Sequence, residues 1–295
     1  LGAFYRGCFA DSPGRAFVAQ LGFHRGTDTG GHWHPGRESG AHQCGADPGR
    51  AGQAGRSPHP EELYTAYETG ITRVILPELD AAMETEQKNP HHCHTVGTHL
   101  IESMRMIEPD KVLRLAMLLH DIGKPVVRST GEDGVDHFFG HADVSAQMAH
   151  DILKRLKFDN DTLYMVEKLI AYHDYRPEIS ERAVRRFLNK TGKELFPLIL
   201  KVQRADIAAQ SDYQRAEKEE RLKEVELLAE KIFEENQCFS LKDLAVSGRD
   251  LIDDGMEPGK QLGEVLSELL GEVLRDPAHN TKEYLLEYSR TLRRS

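Results

Sequence analysis

The feature that most constrains this chain is an apolar helical run that ends in a His-Asp doublet. The run reads VLRLAMLLHDIGKP over residues 112–125, so that His120 and Asp121 stand at its end, before a glycine and a proline that stop the helix. Placing an imidazole beside a carboxylate at the buried end of a core helix costs desolvation free energy unless a metal ion or a polar partner compensates. The run therefore predicts a helical core with a metal site at His120 and Asp121.

Further imidazole and carboxylate groups recur on both sides of this doublet. Helices that deliver such groups in succession can build a site for a hard or borderline divalent metal ion. A metal ion held in this way can generate hydroxide and bind phosphate oxygens. We therefore predict a set of metal ligands that comprises His99, His120, Asp121, His141, His173 and Asp206.

The members of this set are expected to differ in role. His120 and Asp121 are predicted to act in catalysis together with Lys124, which stands where it could reach a phosphate group. His141 and His173 are interpreted as ligands of a second metal ion or of the substrate.

Two carboxylates, those of Asp174 and Asp206, compete for the last ligand position. Oxygen and imidazole ligands fit Mn, Mg, Ni or Co better than a structural zinc ion, which usually recruits cysteine. The four cysteines are scattered without CxxC spacing, so neither a zinc knuckle nor a disulfide framework is predicted. The other histidines of this region are expected to be polar surface residues or neighbours of the ligands, namely His91, His92, His94, His137 and His150.

An all-α fold is predicted, because helical periodicity recurs from residue 61 onward and no strand pair with alternating apolar residues is convincing. Ser180 is the expected N-cap of a helix that Gly192 ends, and Asp159 or Asp161 caps an earlier one. A helix over residues 215–233 is so highly charged that we expect a solvated connector. The other predicted helices cover residues 94–107, 111–122, 142–156, 161–172 and 196–210.

Three parts follow from these patterns. Residues 58–216 are predicted to form a helical bundle, and residues 217–295 the charged connector helix and a smaller helical tail. Residues 1–57 hold about half of the 25 glycines and no sustained periodicity, so the ordinary interpretation is a disordered leader. A second hypothesis is frameshifted translation of a lost helical region, because shifting the possible codons of residues 8–17 and 42–56 by one base permits helical sequences.

Charge and hydropathy exclude several classes of protein. The formal net charge of −10 argues against a generally basic surface that coats nucleic acid, although it allows a local basic patch. No apolar stretch approaches the roughly 20 residues needed to span a membrane. The first residues lack the apolar core of a signal peptide. We therefore predict a cytoplasmic protein with no membrane partner.

The last part of the chain carries two turns that directly precede helices, in SGRDL and in GMEPGKQLGEVL. Free backbone N–H groups at a helix N-terminus can hold an anion such as a nucleic-acid phosphate. Arg249 and Lys260 stand in these turns and are the predicted RNA-binding residues. The alternative interpretation is that both are simple tight turns between helices.

Several motifs together resemble a known family. The pattern H…HD…H…H…D is similar to the HD phosphohydrolase superfamily. The stretches HTVGTHLIESM, LLHDIGKP, HFFGHADVSAQMAHDILKRLKF, YHDYR, QRADIAAQS and GMEPGKQLGEVL resemble bacterial CCA-adding tRNA nucleotidyltransferases of the poly(A) polymerase family, over roughly residues 58–295. The resemblance implies an HD domain, a tRNA-binding tail, and a last metal ligand in an Ala-Asp pair, which favours Asp206 over Asp174.

Three hypotheses about function remain open. The first is a C-terminal part of a CCA-adding enzyme that keeps an HD phosphohydrolase site and a tRNA-binding tail. That family's polymerase head, with its glycine-rich and Asp-x-Asp motifs, has no counterpart in this sequence, so nucleotide addition is expected only from a full-length parent. The second is a stand-alone HD hydrolase of nucleotides or small phosphate esters, and the third a non-catalytic helical RNA-binding module. The tail favours the first over the second, and the complete ligand set favours it over the third.

Overall fold

Helices make up most of the protein, as a computed structural model shows for the residues that it describes, 60–293. The predicted all-α class is therefore confirmed. Both hypotheses about residues 1–57 lie outside the described residues. No helix within residues 60–293 has the length and apolar character needed to cross a lipid bilayer.

The helices follow one another with short connections. The first are α1 (Glu62–Glu68), α2 (Thr72–Ile75), α3 (Pro77–Met83), α4 (Val96–Arg105), α5 (Lys111–Leu119) and α6 (Lys124–Val127). A short antiparallel hairpin of β1 (Ser129–Thr130) and β2 (Asp136–His137) precedes α7 (His141–Arg155), α8 (Asn160–Tyr172) and α9 (Glu181–Ala209). The chain continues with α10 (Arg215–Glu234), α11 (Gly248–Asp253), α12 (Lys260–Arg275) and α13 (Lys282–Leu292).

Polar side chains begin several of these helices by accepting hydrogen bonds from free backbone N–H groups. Asp159 caps α8 by accepting from the N–H of Thr162, so it fills the role for which Asp161 was the alternative. Ser180 caps α9 by accepting from the N–H of Ala183, as predicted. Gly192, with a φ of 74°, interrupts α9, but the helix resumes at once. Glycine adopts this left-handed conformation without the strain that a side chain would bring.

The first hydrophobic core draws its residues from helices α1 to α5 and α7 to α10 and from their connections. The charged helix α10 contributes Leu222, Val225, Ala229 and Ile232, which are all buried in this core. These positions lie on one helical face, so α10 packs against the bundle and is not a solvated connector. The charge of the other face concealed this apolar stripe in the sequence.

The second hydrophobic core belongs to the tail. It is built from buried residues of α11, α12 and α13, among them Leu251, Leu269, Val273 and Leu285. A small helical unit thus follows the bundle, as the sequence indicated.

The hairpin lies between the predicted helices over residues 111–122 and 142–156, where no strand was predicted. Its two-residue strands depend on Asp136, which is fully buried and accepts hydrogen bonds from the backbone N–H of Lys88, from Arg128 and from Thr130. A buried carboxylate, and not an alternation of apolar residues, holds this hairpin. Periodicity could not predict it for that reason.

Candidate metal centre

The six predicted ligand side chains converge within the first core, although they come from five helices or helix ends. All are buried except that of His141, which is 14% exposed. The apolar run of α5 is itself buried, so it carries the His-Asp doublet into the interior. The predicted ligands are His99 in α4, His120 and Asp121 after α5, His141 at the start of α7, His173 at the end of α8 and Asp206 in α9.

His99, His120 and Asp206 form a first group whose ligand atoms lie close enough to hold a metal ion. The Oδ1 atom of Asp206 is 3.0 Å from Nε2 of His99 and 3.6 Å from Nε2 of His120. The two Nε2 atoms are 3.3 Å apart. Three ligand atoms from three helices therefore meet at one point.

A second group surrounds the other side of Asp121. Its Oδ1 atom lies 3.3 Å from Nε2 of His141 and 3.4 Å from Nε2 of His173, and these two nitrogens are 3.2 Å apart. The Oδ2 atom faces the first group, at 3.4 Å from Nε2 of His120 and 3.7 Å from Nε2 of His99. Asp121 thus directs one oxygen toward each group, as a bridging carboxylate does.

Hydrogen bonds on the outer ring nitrogens orient three of these histidines. In each of these rings Nδ1 donates a hydrogen bond to the backbone carbonyl oxygen three residues earlier. The distances are 2.8 Å for His120, 2.9 Å for His141 and 2.7 Å for His173. The Nε2 atoms of these rings then face each other and the carboxylates. The buried Oδ1 of Asp121 has no hydrogen-bond partner among the described residues. Acceptors gathered in this way fit a bound cation, and ligating histidines usually donate their other N–H to such a carbonyl.

The charges of the cluster lead to the same conclusion. Burial alone would raise the pKa of Asp121, but the charges of Lys124 and His120 hold it well below its usual range. Burial likewise opposes ionisation of Asp206, while hydrogen bonds with His120 and His99 hold its pKa well below the usual range. Burial would lower the pKa of His120, but Asp121 and Asp206 raise it to about 10. Two buried, ionised carboxylates therefore attract positive charge to this point.

Lys124 is buried beside Asp121. Its Nζ atom lies 2.6 Å from Oδ2 of Asp121, 2.9 Å from Oε1 of Gln87 and 3.3 Å from Nε2 of His92. Burial and the charge of Lys124 lower the pKa of His92 to about 2, so this ring is neutral. His92 belongs to the histidines that were expected to be surface residues or neighbours of the ligands, and the structure places it beside Lys124 and His99.

An open cavity of about 490 Å³ leads to the cluster, and three cations that the sequence analysis missed are part of its lining. Arg176 follows α8 and donates to the backbone carbonyl oxygen of His173 at 2.6 Å. Lys218 and Arg221 come from α10. Their spacing of three residues places them on the same side of the helix. The charged helix therefore brings positive charge to the cavity as well as apolar residues to the core.

The competing ligand candidate, Asp174, lies outside both ligand groups. Its side chain is 56% exposed and lies 3.8 Å from Arg176. Asp206, in contrast, lies in a group of side chains that could hold a metal ion. Among the other histidines, His91, His92 and His137 line the cavity, whereas His150 pairs with Glu167 outside it.

The two predicted RNA-binding residues are exposed in the tail. Arg249 lies in the first turn of α11 and forms an ion pair with Asp253 at 3.3 Å. Lys260 begins α12 and pairs with Glu264 at 3.3 Å. The two helices differ in whether a side chain caps their N-terminal backbone N–H groups.

A capping box occupies the N-terminus of α11, where the carboxylate of Asp250 accepts from the N–H of Ser247. No side chain caps α12. An anion would meet free N–H groups at α12, but a carboxylate at α11.

A family model described as tRNA nucleotidyltransferase domain 2 matches residues 130–289. The chain is 31% identical over 150 residues to the A-adding tRNA nucleotidyltransferase of Deinococcus radiodurans. This aligned stretch covers 49% of this chain and 34% of that protein. It is 33% identical over 155 residues to the CC-adding tRNA nucleotidyltransferase of Thermus thermophilus. This aligned stretch covers 50% of this chain and 35% of that protein. The chain thus matches about a third of the length of these curated relatives.

Proposed function

The chain belongs to the tRNA nucleotidyltransferase domain 2 family, and on that premise we propose that it is the metal-dependent phosphohydrolase and tRNA-binding part of a CCA-adding enzyme. The relatives are named as A-adding and CC-adding tRNA nucleotidyltransferases, which supports tRNA as the partner. A cytoplasmic location follows from such a partner. The hydrolase activity rests on the cluster described above.

The single observation that carries the hydrolase proposal is the convergence of buried acceptors around Asp121. Asp121 Oδ1 and the two inner nitrogens of His141 and His173 lie within 3.4 Å of one another. Lone pairs and a carboxylate at such distances repel each other unless a cation lies among them. We propose that the His99 and Asp206 side holds one divalent ion and the His141 and His173 side a second.

The bound ions would supply a hydroxide nucleophile and stabilise negative charge on a phosphate. Mn, Mg, Ni and Co suit this mixed oxygen and imidazole ligand set. Asp121 and His120 then act by holding this centre in place. The substrate would be a phosphate ester or a nucleotide, such as a 2′,3′-cyclic phosphate or a monophosphate.

The cations of the cavity suit the binding of an anionic substrate. Arg176, Lys218 and Arg221 line the same cavity as the cluster, so a phosphate there would meet positive charge before it reaches Asp121. Lys124 would contribute by exchanging one of its present partners, Gln87 or His92, for a phosphate oxygen.

The tail is proposed to hold tRNA through phosphates, with Lys260 and Arg249 as the contacts. Since the chain carries a net charge of −10, these contacts must be local. Addition of CTP or ATP to tRNA is not expected from this sequence alone, because the motifs that hold the catalytic magnesium ions in the family have no counterpart in it.

A pair of matched carboxylate variants tests the hydrolase proposal. Asp206→Asn should reduce hydrolysis of 2′,3′-cyclic and monophosphate substrates by at least about a hundredfold, since it removes a ligand and not merely a neighbour of one. Asp174→Asn, which changes an exposed carboxylate beside His173, should retain most of the activity. Initial rates are measured with Mn, Mg, Ni and Co, and the helical circular dichroism spectrum checks the fold. Equal losses in both variants, or none in Asp206→Asn, would refute the assignment.

A further inference from the structure

An exposed aromatic ring stands at the cavity that leads to the cluster. Phe139 is 80% exposed, the largest exposure among the large hydrophobic residues that the structure describes. It lines the cavity together with Asp121 and His141. A phenylalanine this exposed contributes little to the folded core, because its apolar surface remains in water.

The Phe139 ring is not isolated. The His137 ring stacks against it, with a centroid distance of 5.4 Å and an interplanar angle of 4°. The two parallel rings are offset from each other, and most of Phe139 stays exposed. Such parallel rings form the kind of surface on which a further flat ring can stack.

The chain around this ring pair is held firmly. The buried carboxylate of Asp136, directly before His137, accepts hydrogen bonds from the backbone N–H of Lys88, from Arg128 and from Thr130. On the other side, the carbonyl oxygen of Phe138 accepts from the Nδ1 of His141, which belongs to the ligand cluster. The ring pair thus lies between an anchored hairpin and a ligand.

We propose that Phe139, supported by His137, is a stacking platform for the base of the nucleotide whose phosphate reacts at the cluster. This inference rests on the proposed phosphohydrolase function and adds its substrate class, a nucleoside phosphate. Aromatic side chains bind bases of any identity, because every base has a π-face. The cations Arg176, Lys218 and Arg221 in the same cavity suit the phosphate of such a substrate. The base can belong to a free nucleotide or to the end of an RNA chain.

The test compares substrates with and without a base in the full chain. An adenosine phosphate is paired with a methyl riboside that carries the same phosphate, and a short oligoribonucleotide that ends in that phosphate is the third substrate. Phe139→Ala should raise KM for the adenosine phosphate, the oligoribonucleotide or both by roughly tenfold, with kcat little changed. The base-free riboside should show the same KM in variant and wild type.

Two further variants separate stacking from shape. Phe139→Leu keeps an apolar side chain without a ring and should behave like Phe139→Ala, whereas Phe139→Trp should keep the wild-type KM. An effect on the oligoribonucleotide alone identifies an RNA end as the source of the base, and an effect on the free nucleotide alone identifies a free nucleotide. Equal KM changes for the base-free riboside, or unchanged KM for both base-containing substrates, would overturn the platform.

A binding measurement keeps this inference distinct from the proposed activity. If the wild-type chain hydrolyses none of the three substrates, the phosphohydrolase proposal fails. Calorimetric titration of adenosine monophosphate, and of the same oligoribonucleotide, into wild type and Phe139→Ala then decides the platform alone. About tenfold weaker binding of either ligand by the variant supports the platform, and equal binding of both ligands contradicts it.

Discussion

The ligand cluster and the tail place their charged groups in opposite ways. In the cluster, Asp121 and Asp206 are buried among the ring nitrogens of four histidines, and Lys124 lies beside Asp121. In the tail, Asp254 is paired with both Arg290 and Arg293 near the surface. The tail carboxylate is paired with two arginines, whereas one buried oxygen of Asp121 has no hydrogen-bond partner among the described residues. This difference favours the proposal that the cluster holds a cation.

Burial also decides how strongly each region should respond to change. Removing one partner of a buried charge pair leaves an uncompensated charge and costs about 3–5 kcal/mol, whereas exposed pairs contribute about 0–1 kcal/mol. Mutations of buried charges in the bundle should thus reduce activity or stability strongly. Mutations of exposed charges in the tail should weaken binding only slightly, by an amount that depends on the salt concentration.

A comparison of Asp136 with Asp254 sharpens this distinction. Backbone and side-chain hydrogen bonds more than offset the burial of Asp136 and lower its pKa to about 2, and bonds from Arg290 and Arg293 lower that of Asp254 to about 2. Asp136 is fully buried, so Asp136→Asn should lower the free energy of unfolding by about 1–3 kcal/mol at neutral pH. Asp254→Asn should have the smaller effect. Urea denaturation measures both.

The pH dependence of Asp136→Asn has a definite sign. A carboxylate with a lowered pKa stabilises the fold above its ordinary value of 3.8, and this stabilisation is lost as the pH falls toward about 2. The difference between wild type and Asp136→Asn should therefore shrink over that window. Asp133→Asn, an exposed change in the same hairpin, serves as the control. A larger effect from Asp254→Asn, or a difference that grows in acid, would contradict this account.

The smallest expected effect concerns the tail. Lys260→Glu should weaken tRNA binding several-fold. It should also reduce the slope of log binding constant against log salt concentration by about one, as the loss of one phosphate contact does. Arg249→Glu should do less, because the Asp250 carboxylate already occupies the N-terminus of α11. Lys201→Glu, an exposed charge reversal on the bundle, is the control. Filter binding across a salt series measures the tRNA affinity of all three variants. Equal losses of affinity in all three would show that the tail does not contact tRNA.

Local patterns in the sequence predicted the helices and the six side chains that the structure brings together. Helical periodicity located α5, and the His-Asp doublet at its end identified the cluster. The cavity cations could not be predicted in this way. Lys218 and Arg221 lie in a helix with many charged residues, and nothing in the sequence distinguishes these two from the others. Only the packing of the helix against the bundle brings them to the cavity. The hairpin was missed because a single buried carboxylate, Asp136, holds it.

The resemblance to tRNA nucleotidyltransferases predicted the family, which the comparison confirms for residues 130–289. That match contains His141, His173, Asp206 and most of the tail, but begins after His99 and the His-Asp doublet. The ligand roles of His99, His120 and Asp121 therefore rest on geometry. The predicted boundaries at residues 58 and 217 remain predictions.

Metal content tests the central claim most directly. Wild type and Asp121→Asn are dialysed against Mn, Mg, Ni or Co and analysed by inductively coupled plasma mass spectrometry, with circular dichroism to verify the fold. Because Asp121 directs an oxygen toward each ligand group, wild type should retain up to two ions per chain and the variant should lose at least one of them. A wild-type protein that retains none of these metals, or a variant that retains as much as wild type, would contradict the account.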